Sequence, residues 1–416
     1  MSQDAPTPTY VIVGAGQAGG ECASELRKQG FTGRVLVIGE EPHLPYRRPP
    51  LSKAFLAGTA TESSLYVMQA AALEKANIEV RTGVRVTAID RAAKRLTLSD
   101  GSTQAYDKLA LTTGGQARLL SSPGADRPNV FPLRSIADVN GIRARCQPGQ
   151  RAVIVGGGFI GLEVAAVLVK QGLQVTLLEG LPRVLARVTV PLVSEFFERM
   201  HREAGVDLRT SVQLQGFEGE PEATAAVLAD GTRVPCDFAI VGIGLVAGVE
   251  LAQAAGLAVD NGIVVDEYCR TSDPDIVAAG DCTNHPSEFL GRRVRLESVQ
   301  NAMEQGRAAA HSLLGRDTPY RMVPWFWSDQ YDLKLQMVGV STGHDQVVVR
   351  GDPATQRNFA VFYLGDGRLL AADAVSRPQD FMFAKKLVAD RAVIDPKLLA
   401  DESVPLKSLV PGPAAA

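Results

Sequence analysis

Two glycine-rich stretches constrain the fold of this chain more than any other feature of its sequence. Positions 11–20 read VIVGAGQAGG, and positions 153–163 read VIVGGGFIGLE. In both, a short apolar run leads into glycines spaced as GxGxxG, the turn that joins strand to helix in a dinucleotide-binding βαβ unit. The glycines of the two loops are Gly14, Gly16 and Gly19, then Gly156, Gly158 and Gly161. Two such loops in one chain predict two dinucleotide-binding units.

An acidic residue follows each loop at the distance expected of a ligand to an adenosine ribose. After the first loop a helical pattern runs to about Gln29, and the next apolar run, RVLVIGE, ends at Glu40, 21 residues after Gly19. After the second, QVTLLE ends at Glu179, 18 residues after Gly161. Both distances agree with the spacing of about 20 residues in such units. A single GxGxxG is a weak signal, but two copies in this context are a strong one.

A second repeat extends each unit into a larger module. SDGSTQAYDKLALTTGG (99–115) and ADGTRVPCDFAIVGIGL (229–245) both place an Asp-Gly pair before an apolar strand, and Gly114 and Gly244 each lie fourteen residues beyond the first Asp. Asp-Gly is a typical hairpin turn. The sequence therefore predicts two related modules, each built of a βαβ unit, a hairpin and a return strand.

The remainder of the chain predicts a third, different domain. From about residue 321, Leu333, Leu335 and Met337 alternate with polar residues, and further strand-like runs follow. Apolar residues in 377–391 have helical spacing. Trp325 is interpreted as a core residue of an edge strand. The predicted fold class is α/β, with two Rossmann-like domains and a small α+β C-terminal domain.

Composition limits the classes of function. A chain of 416 residues is expected to hold two or three domains, and a net charge of −3 gives no support for nucleic-acid binding. The first nine residues lack the pattern of a signal peptide, and the most apolar window, 238–252, is too short to span a bilayer. The five cysteines have no CxxC or metal-site spacing. We expect a cytoplasmic protein with reduced thiols and no bound metal.

Several motifs are similar to those of a known family. TSDPDIVAAGDC (271–282) and LTTGG (111–115) resemble segments with which two-dinucleotide flavoproteins hold FAD. PYRRPPLSK (45–53), RLESVQNAMEQGR (295–307) and PWFWSDQY (324–331) more specifically resemble the bacterial FAD-dependent NADH:ferredoxin reductases, and the likeness covers nearly the whole chain.

The resemblance implies that the first module binds FAD and the second binds NADH. The implied domains are a discontinuous FAD-binding domain at 1–113 and 247–320, an NAD-binding domain at 114–246, and a C-terminal α+β interface domain at 321–416. The implied FAD-binding residues are Gly14, Ala15, Gly16, Gly19, Glu40, Arg48, Lys53, Val84, Arg134, Asp281 and Val299. The implied NAD-binding residues are Gly156, Gly158, Phe159, Ile160, Gly161, Glu179 and Gly244.

Some of these residues have a simpler explanation as well. Arg48 could be a solvated charge in a proline-rich loop instead of a partner of the FAD diphosphate, and Asp281 could cap a turn. Glu179 is expected to repel a 2′-phosphate and so to favour NADH over NADPH. Arg183, four residues further on, could weaken that preference.

Lys53, Glu163 and Trp327 are the catalytic residues that the resemblance implies. Glu163 lies two residues past the last glycine of the second loop, in an early turn of the predicted helix. In the family a lysine pairs with such a carboxylate beside the flavin, where it would stabilise developing negative charge. Without the resemblance, a surface lysine and an acid stabilised by the helix dipole would be the simpler reading. Trp327 is implied to lie against the flavin, facing the electron acceptor.

The positions of the cysteines favour an external electron acceptor. Disulfide reductases and peroxidases of this fold need a redox cysteine near the flavin, but this chain has no cysteine between Cys22 and Cys146, and Cys22 is expected to pack within the first helix. The family implies that the acceptor is a [2Fe–2S] ferredoxin, which serves a haem-thiolate monooxygenase or a ring-hydroxylating dioxygenase. The reductase itself is expected to be a monomer or weak dimer. The docking candidates are Arg307, Lys334 and Lys407. Alternatives are an NADH oxidase or a rubredoxin or quinone reductase of the same fold, and an apoptosis-inducing-factor-like flavoprotein that acts by binding a partner.

Overall fold

Residues 7–410 are described by a computed structural model. Its strands are β1 (Thr9–Val13), β2 (Arg34–Ile38), β3 (Ile78–Arg81), β4 (Val86–Asp90), β5 (Arg95–Leu98), β6 (Thr103–Ala105), β7 (Lys108–Leu111), β8 (Gly115–Ala117), β9 (Val130–Pro132), β10 (Arg151–Val155), β11 (Gln174–Leu178), β12 (Asp207–Arg209), β13 (Leu214–Glu218), β14 (Ala225–Leu228), β15 (Arg233–Pro235), β16 (Phe238–Val241), β17 (Leu245–Ala247), β18 (Ile263–Val264), β19 (Ile276–Ala278), β20 (Thr283–Ser287), β21 (Arg292–Val294), β22 (Trp325–Gln330), β23 (Leu333–Gly339), β24 (Gln346–Arg350), β25 (Phe359–Gly365) and β26 (Arg368–Val375). Its helices are α1 (Gln17–Lys28), α2 (Glu62–Leu65), α3 (Ala70–Lys75), α4 (Ile136–Arg143), α5 (Phe159–Lys170), α6 (Pro191–Glu203), α7 (Glu250–Ala254), α8 (Val299–Leu313), α9 (Pro378–Ala389) and α10 (Pro396–Ala400), with 3₁₀ turns at Pro49–Ser52 and Leu406–Leu409.

The chain divides into two compact units. Unit 1 comprises the chain up to Pro49, Thr61–Gln116 and Leu245–Met322; unit 2 comprises Pro50–Ala60, Ala117–Gly244 and the chain from Val323 onward. Pro50–Ala60, which carries Lys53, therefore belongs to unit 2, although it lies inside the stretch expected to form the FAD domain. The three-domain division with its boundaries remains a prediction.

Unit 1 contains a five-stranded sheet in the order β19-β7-β1-β2-β3, and all of its strands are parallel. Parallel strands are covered on both faces, which explains why β1 is apolar throughout. Val11 and Val13 point to one face and join the core formed with the β4–β6 hairpins, whereas Ile12 joins the core formed with α1 and α8. Helix α1 was predicted to end near Gln29 and ends at Lys28.

Unit 2 repeats the same plan. Its parallel sheet has the order β12-β11-β10-β16-β9, with β10, α5 and β11 in the places that β1, α1 and β2 have in unit 1. In both units an antiparallel three-stranded sheet follows, β4-β5-β6 and β13-β14-β15. The Asp-Gly pairs at 100–101 and 230–231 lie between β5 and β6 and between β14 and β15. The predicted pair of modules is confirmed.

The C-terminal part of unit 2 is an antiparallel sheet in the order β22-β23-β26-β25-β24, against which α9 packs. The predicted helix at 377–391 is α9, and its residues Phe381, Ala384, Leu387 and Val388 are buried. This confirms the fold class of two Rossmann-like domains with a small α+β domain.

A helix that spans a membrane needs about 20 mostly apolar residues. Among residues 7–410, none of the helices has both the length and the apolar character needed to cross a bilayer. The prediction made from the first nine residues falls largely on residues 1–6, which lie outside the described part of the chain.

Candidate active site

The first glycine of each loop makes the same turn. Gly14 and Gly156 have left-handed φ angles of +116° and +111°, a region that favours glycine. The amide of Gly14 donates a hydrogen bond to the carbonyl of Ile38, and the amide of Gly156 donates to that of Leu178, both at 2.8 Å. Each loop is thereby fixed to the end of the neighbouring strand.

The third glycine of each loop allows the helix to approach the turn closely. A Cβ atom on Gly19 would lie 2.1 Å from the carbonyl oxygen of Gly14, and a Cβ on Gly161 would lie 2.0 Å from that of Gly156. No side chain can occupy either position without moving the backbone. This is the steric role that the spacing assigns to the third glycine.

The middle glycines have the opposite environment. A Cβ on Gly16 or Gly158 would meet no atom of the described residues within 4 Å. These residues are the N-caps of α1 and α5, and a glycine has no side chain with which to cap the first-turn N–H groups. Open space beside uncapped donors at a helix N-terminus fits a diphosphate. Both loops therefore fit a dinucleotide.

The two ribose-binding candidates lie in different environments. Glu179 accepts hydrogen bonds from the amide of Gly157 at 2.6 Å and from that of Leu181 at 2.7 Å. Glu40 is 56% exposed, and its ion pair with Arg85 is 3.8 Å long. The carboxylate of Glu179 is therefore held against its loop, whereas that of Glu40 is open to solvent.

Other NAD-binding candidates lie around the second loop. Arg183 donates to Ser194 Oγ at 2.7 Å and to the carbonyl of Ala186 at 3.0 Å, so its guanidinium group is held by these two partners. Phe159 begins α5, and its ring lies 4.5 Å from that of Phe326. Ile160 follows it and is exposed. Gly244 has a φ of +111° in the turn after β16.

The remaining FAD candidates of unit 1 lie at the ends of elements or in loops. Arg48 donates to Glu41 Oε1 and to Tyr46 Oη, both at 2.8 Å, so it is not merely a solvated loop charge. Ala15 lies in the first glycine loop, Val84 packs against the core, Asp281 follows Gly280 after β19, and Val299 is the first residue of α8.

Arg134 and Lys53 belong to unit 2. The backbone amide of Arg134 donates to Asp138 Oδ2 at 2.9 Å, at the capped N-terminus of α4. Lys53 immediately follows the 3₁₀ turn Pro49–Ser52.

Lys53 and Glu163 form a close ion pair, with 2.7 Å between Lys53 Nζ and Glu163 Oε2. The side chain of Glu163 is 2% exposed and that of Lys53 is 19% exposed. Ser52 Oγ donates to Oε2 at 2.5 Å, and Ser328 Oγ donates to Oε1 at 2.6 Å. A carboxylate this deeply buried keeps its charge only with such partners. Lys53 is thus held in place by a buried anion and is not a freely moving surface lysine.

The aromatic residues of β22 directly precede Ser328, one of the partners of Glu163, in the sequence. Trp327 and Trp325 are both partly exposed, with ring centroids 5.6 Å apart. Lys385 Nζ lies 4.7 Å above the ring of Trp325, a cation–π contact. The prediction for Trp325 was right about the edge strand but wrong about the core, because the residue is only half-buried, with Phe381 of α9 beside its ring.

The cysteines are not suited to redox chemistry. All five are free thiols, and Cys22 is fully buried in α1, where burial raises its pKa to about 12. Burial likewise raises the pKa of Cys282, which follows Asp281. A thiol that stays protonated is a poor nucleophile. The prediction that Cys22 serves packing agrees with this environment.

Sequence reasoning missed two partners of Glu163, namely Ser52 and Ser328. Both lie next to residues that the resemblance implies to be catalytic, Lys53 and Trp327, inside the motifs PYRRPPLSK and PWFWSDQY. That adjacency was the available signal, but only the folded chain shows that both hydroxyl groups reach the same carboxylate.

Comparison with known proteins shows the family of the chain. The family described as pyridine nucleotide-disulphide oxidoreductase matches residues 8–306, and the one described as reductase C-terminal matches residues 325–410. The chain is 48% identical to putidaredoxin reductase CamA of Pseudomonas putida over 96% of both chains. It is 47% identical to the 5,5′-dehydrodivanillate O-demethylase ferredoxin reductase subunit of a Sphingobium species, over 96% of this chain and 97% of the relative.

A solved structure agrees with these relatives. The reductase in the crystal structure of the covalent putidaredoxin reductase–putidaredoxin complex superposes with a TM-score of 0.94 at 48% identity, covering 98% of this chain and 99% of that one. The family implies FAD and a nicotinamide dinucleotide, in agreement with two loops that each fit a dinucleotide. The chain therefore belongs to the pyridine nucleotide-disulphide oxidoreductase family, in its branch of bacterial FAD-dependent ferredoxin reductases.

Proposed function

We propose that this protein transfers electrons from NADH through FAD to a [2Fe–2S] ferredoxin, which in turn serves a haem-thiolate monooxygenase or a ring-hydroxylating dioxygenase. The observation that carries the proposal is the buried Lys53–Glu163 pair, 2.7 Å long, at the start of the helix that follows the second dinucleotide loop. The relatives named as reductases of putidaredoxin or of an O-demethylase system support a ferredoxin as the acceptor.

Lys53 is the residue that we expect to act on the reaction itself. When bound, FAD supplies the chemistry that takes a hydride from NADH and returns the two electrons singly. An ammonium group fixed beside the reacting ring stabilises the negative charge that develops on reduction. Glu163 orients Lys53, and Ser52 and Ser328 orient Glu163.

Glu179 is the residue that we expect to select NADH. Its carboxylate is held by the amides of Gly157 and Leu181 at the place where a ribose hydroxyl group would be bound. A 2′-phosphate would meet this charge without compensation from Arg183, whose guanidinium group is bound to Ser194 and Ala186. The engagement of Arg183 supports a firm preference for NADH.

The electrons must leave to a partner, because the cysteines are unsuited to a dithiol relay. Of the docking candidates, Arg307 pairs with Glu21 at 3.1 Å and Lys334 lies 3.6 Å from Asp329, whereas Lys407 is exposed in the 3₁₀ turn Leu406–Leu409. Lys407 is therefore a docking candidate whose charge is open to solvent. We further propose that the enzyme works in the cytoplasm, where NADH is available.

Dependence on ferredoxin is the direct test. NADH oxidation should be slow with oxygen or a quinone and fast with a [2Fe–2S] ferredoxin added, measured by reduction of cytochrome c. Because opposite charges across a docking face are screened within about 10 Å at 0.1 M salt, added salt should lower this activity. Turnover with ferricyanide, a small oxidant that needs no docking face, should change little. Equal turnover with and without ferredoxin would favour an oxidase or a quinone reductase.

Substitution Lys53→Met tests the role of the pair. The protein should keep FAD, but its reduction by NADH in a stopped-flow experiment should slow by roughly tenfold to a thousandfold, the usual effect of removing one electrostatic donor. An unchanged rate would mean that the pair only stabilises the fold.

A further inference from the structure

A row of buried polar side chains extends from Glu163 into the interior of unit 2. Ser328 Oγ, 2.6 Å from Glu163 Oε1, lies 3.2 Å from Gln330 Nε2. Gln330 Oε1 lies 2.9 Å from His201 Nε2, and His201 Nδ1 lies 2.9 Å from Tyr331 Oη. Ser328, Gln330 and His201 are each at most 1% exposed. We refer to Tyr331, His201, Gln330 and Ser328 as the donor row.

The row is built by the alternation of a β-strand. Ser328 and Gln330 are two residues apart in β22 and therefore project from the same face, opposite the face of Trp325 and Trp327. His201 comes from α6, and Tyr331 from the tight turn after β22, where its φ is +58°. The strand that carries Trp327 on one face thus carries the donors to Glu163 on the other.

Glu163 fixes the direction of every hydrogen bond in the row. An ionised carboxylate only accepts, so Ser328 gives it its single proton and accepts in turn from the amide nitrogen of Gln330. The amide oxygen of Gln330 then accepts from His201 Nε2–H. Burial lowers the pKa of His201 to about 4, so the ring is neutral at pH 7 and carries one proton. Its Nδ1 atom is left to accept from the Tyr331 hydroxyl, whose pKa burial raises.

All four donors therefore point towards the carboxylate. We propose that Ser328, Gln330 and His201 are positioning residues that hold the carboxylate of Glu163 aligned on Lys53. Hydrogen bonds arranged head to tail polarise one another, so each donor in the row strengthens the next. The row also directs positive dipole ends at Glu163 and so reduces the negative field that reaches the reacting ring. The inference rests on the proposed function, because the donor row affects flavin reduction only through Lys53.

The tautomer of His201 gives a test that does not depend on turnover. In oxidised holoenzyme labelled with ¹⁵N-histidine, the row requires His201 to be the Nε2–H tautomer at pH 7, with its signals assigned by their absence in His201→Gln. An Nδ1–H tautomer would reverse the row and overturn the proposal.

Kinetics and redox potential test the consequence. Ser328→Ala and Gln330→Met should each lower the limiting rate of reduction by NADH by about threefold to tenfold, less than loss of Lys53 itself, with little change in the Kd for NADH. The midpoint potential of the enzyme should become more negative. His201→Gln, which keeps a donor for Gln330, should retain the rate better than His201→Leu.

Thr189→Val is a matched control. Thr189 Oγ1 donates to the buried carboxylate of Asp373 at 2.6 Å, the same distance as in the Ser328–Glu163 pair, and it belongs to the same unit. This variant should lose thermal stability as Ser328→Ala does, yet keep its rate and its potential. If the row variants lost only stability, with rate and potential unchanged, the row would be structural and the inference wrong.

Failure of the inference is distinguishable from failure of the proposed function. If Lys53→Met slows reduction but Ser328→Ala and Gln330→Met do not, the donor row alone is refuted. If Lys53→Met has no effect either, the role assigned to the Lys53–Glu163 pair fails, and the donor row fails with it.

Discussion

The glycine loops of units 1 and 2 share one backbone and differ in how they hold their acids. In both, the first glycine is bound to the next strand at 2.8 Å, and a Cβ on the third glycine would lie about 2 Å from a backbone oxygen. In unit 2, however, Glu179 is bound by two backbone amides, whereas in unit 1 Glu40 is more than half exposed. Steric contacts fix the conformation of the glycines in the same way in both loops. The environment of the acid differs because it depends on the groups around each carboxylate.

One position in the loop accounts for part of the difference. Ala15 occupies in the first loop the place that Gly157 has in the second. A Cβ on Gly157 would lie 3.0 Å from Glu179 Oε2, a contact tight enough to push the carboxylate away. We infer that Glu179 is pre-organised for a nucleotide that binds and leaves in every turnover, which lowers the cost of ordering it each time. FAD, which stays bound between turnovers, needs to order Glu40 only once.

The largest expected effects come from the third glycines. Gly19→Val should abolish FAD binding and give colourless protein. Gly161→Val should keep FAD but slow reduction by NADH by on the order of a hundredfold or more, since the loop must move by about 1 Å. Absorbance near 450 nm and stopped-flow reduction measure the two outcomes.

The middle glycines provide the control for these variants. Gly16→Ala and Gly158→Ala add a methyl group into open space, so thermal stability should change little while binding of FAD or NADH, respectively, weakens. Loss of FAD in both valine variants would contradict the assignment of one ligand to each loop.

The next largest effect concerns selection of the nucleotide. Glu179→Arg should lower kcat/KM for NADH by roughly tenfold to a hundredfold, the range expected when hydrogen bonds to a charged group are lost. The kcat/KM for NADPH should rise. Glu40→Gln should weaken FAD retention on dilution and leave the NADH:NADPH ratio unchanged. If Glu40→Gln altered this ratio as much as Glu179→Arg did, the claim that only Glu179 selects the nucleotide would be wrong.

A smaller effect is expected from making the second loop resemble the first. Gly157→Ala should raise the KM for NADH by about threefold to tenfold with little change in kcat, because it disturbs an acid that binds the nucleotide in ground and transition states alike. Steady-state kinetics with purified ferredoxin would show this. A fall in kcat at unchanged KM would mean that Gly157 acts on the reaction step instead.

The last expected effect is on stability in acid and not on activity. Burial lowers the pKa of His285 in unit 1 and of His201 in unit 2 to about 4, so the unfolded chain takes up these protons first and stability is lost as pH falls from about 6.5 to about 4. Asp373 in unit 2 acts in the opposite sense, because burial raises its pKa to about 6 and the folded state is protonated first.

Three variants separate these contributions. His285→Gln and His201→Gln should each flatten the fall in the free energy of unfolding between pH 7 and pH 4.5, and Asp373→Asn should steepen it, by roughly 1–3 kcal/mol in each case. Scanning calorimetry across this pH range is the measurement. An unchanged slope in Asp373→Asn would show that this carboxyl group is ionised in the folded protein throughout the range.

The sequence by itself determined the two loops, their acids, the hairpins at 100–101 and 230–231, and helix α9. Each follows from a local rule: a glycine where a Cβ would collide, a period of two or 3.6 residues, or a turn that needs Asp-Gly. Such rules act over a few consecutive residues and therefore do not depend on the tertiary contacts of the segment. The pairing of Lys53 with Glu163, by contrast, was predicted only from resemblance to a family, because no local rule connects residues so far apart in the chain.

Tertiary structure alone decided the partners of Glu163 other than Lys53. Ser52, Lys53 and Ser328 are more than a hundred positions from it in the chain, and His201 reaches it only through Gln330 and Ser328. Packing likewise decided that Arg183 is bound to Ser194 and Ala186 and that Trp325 is half-buried. The physical reason is that a buried polar group must find partners wherever the fold brings them, and those partners follow from the packing of whole elements.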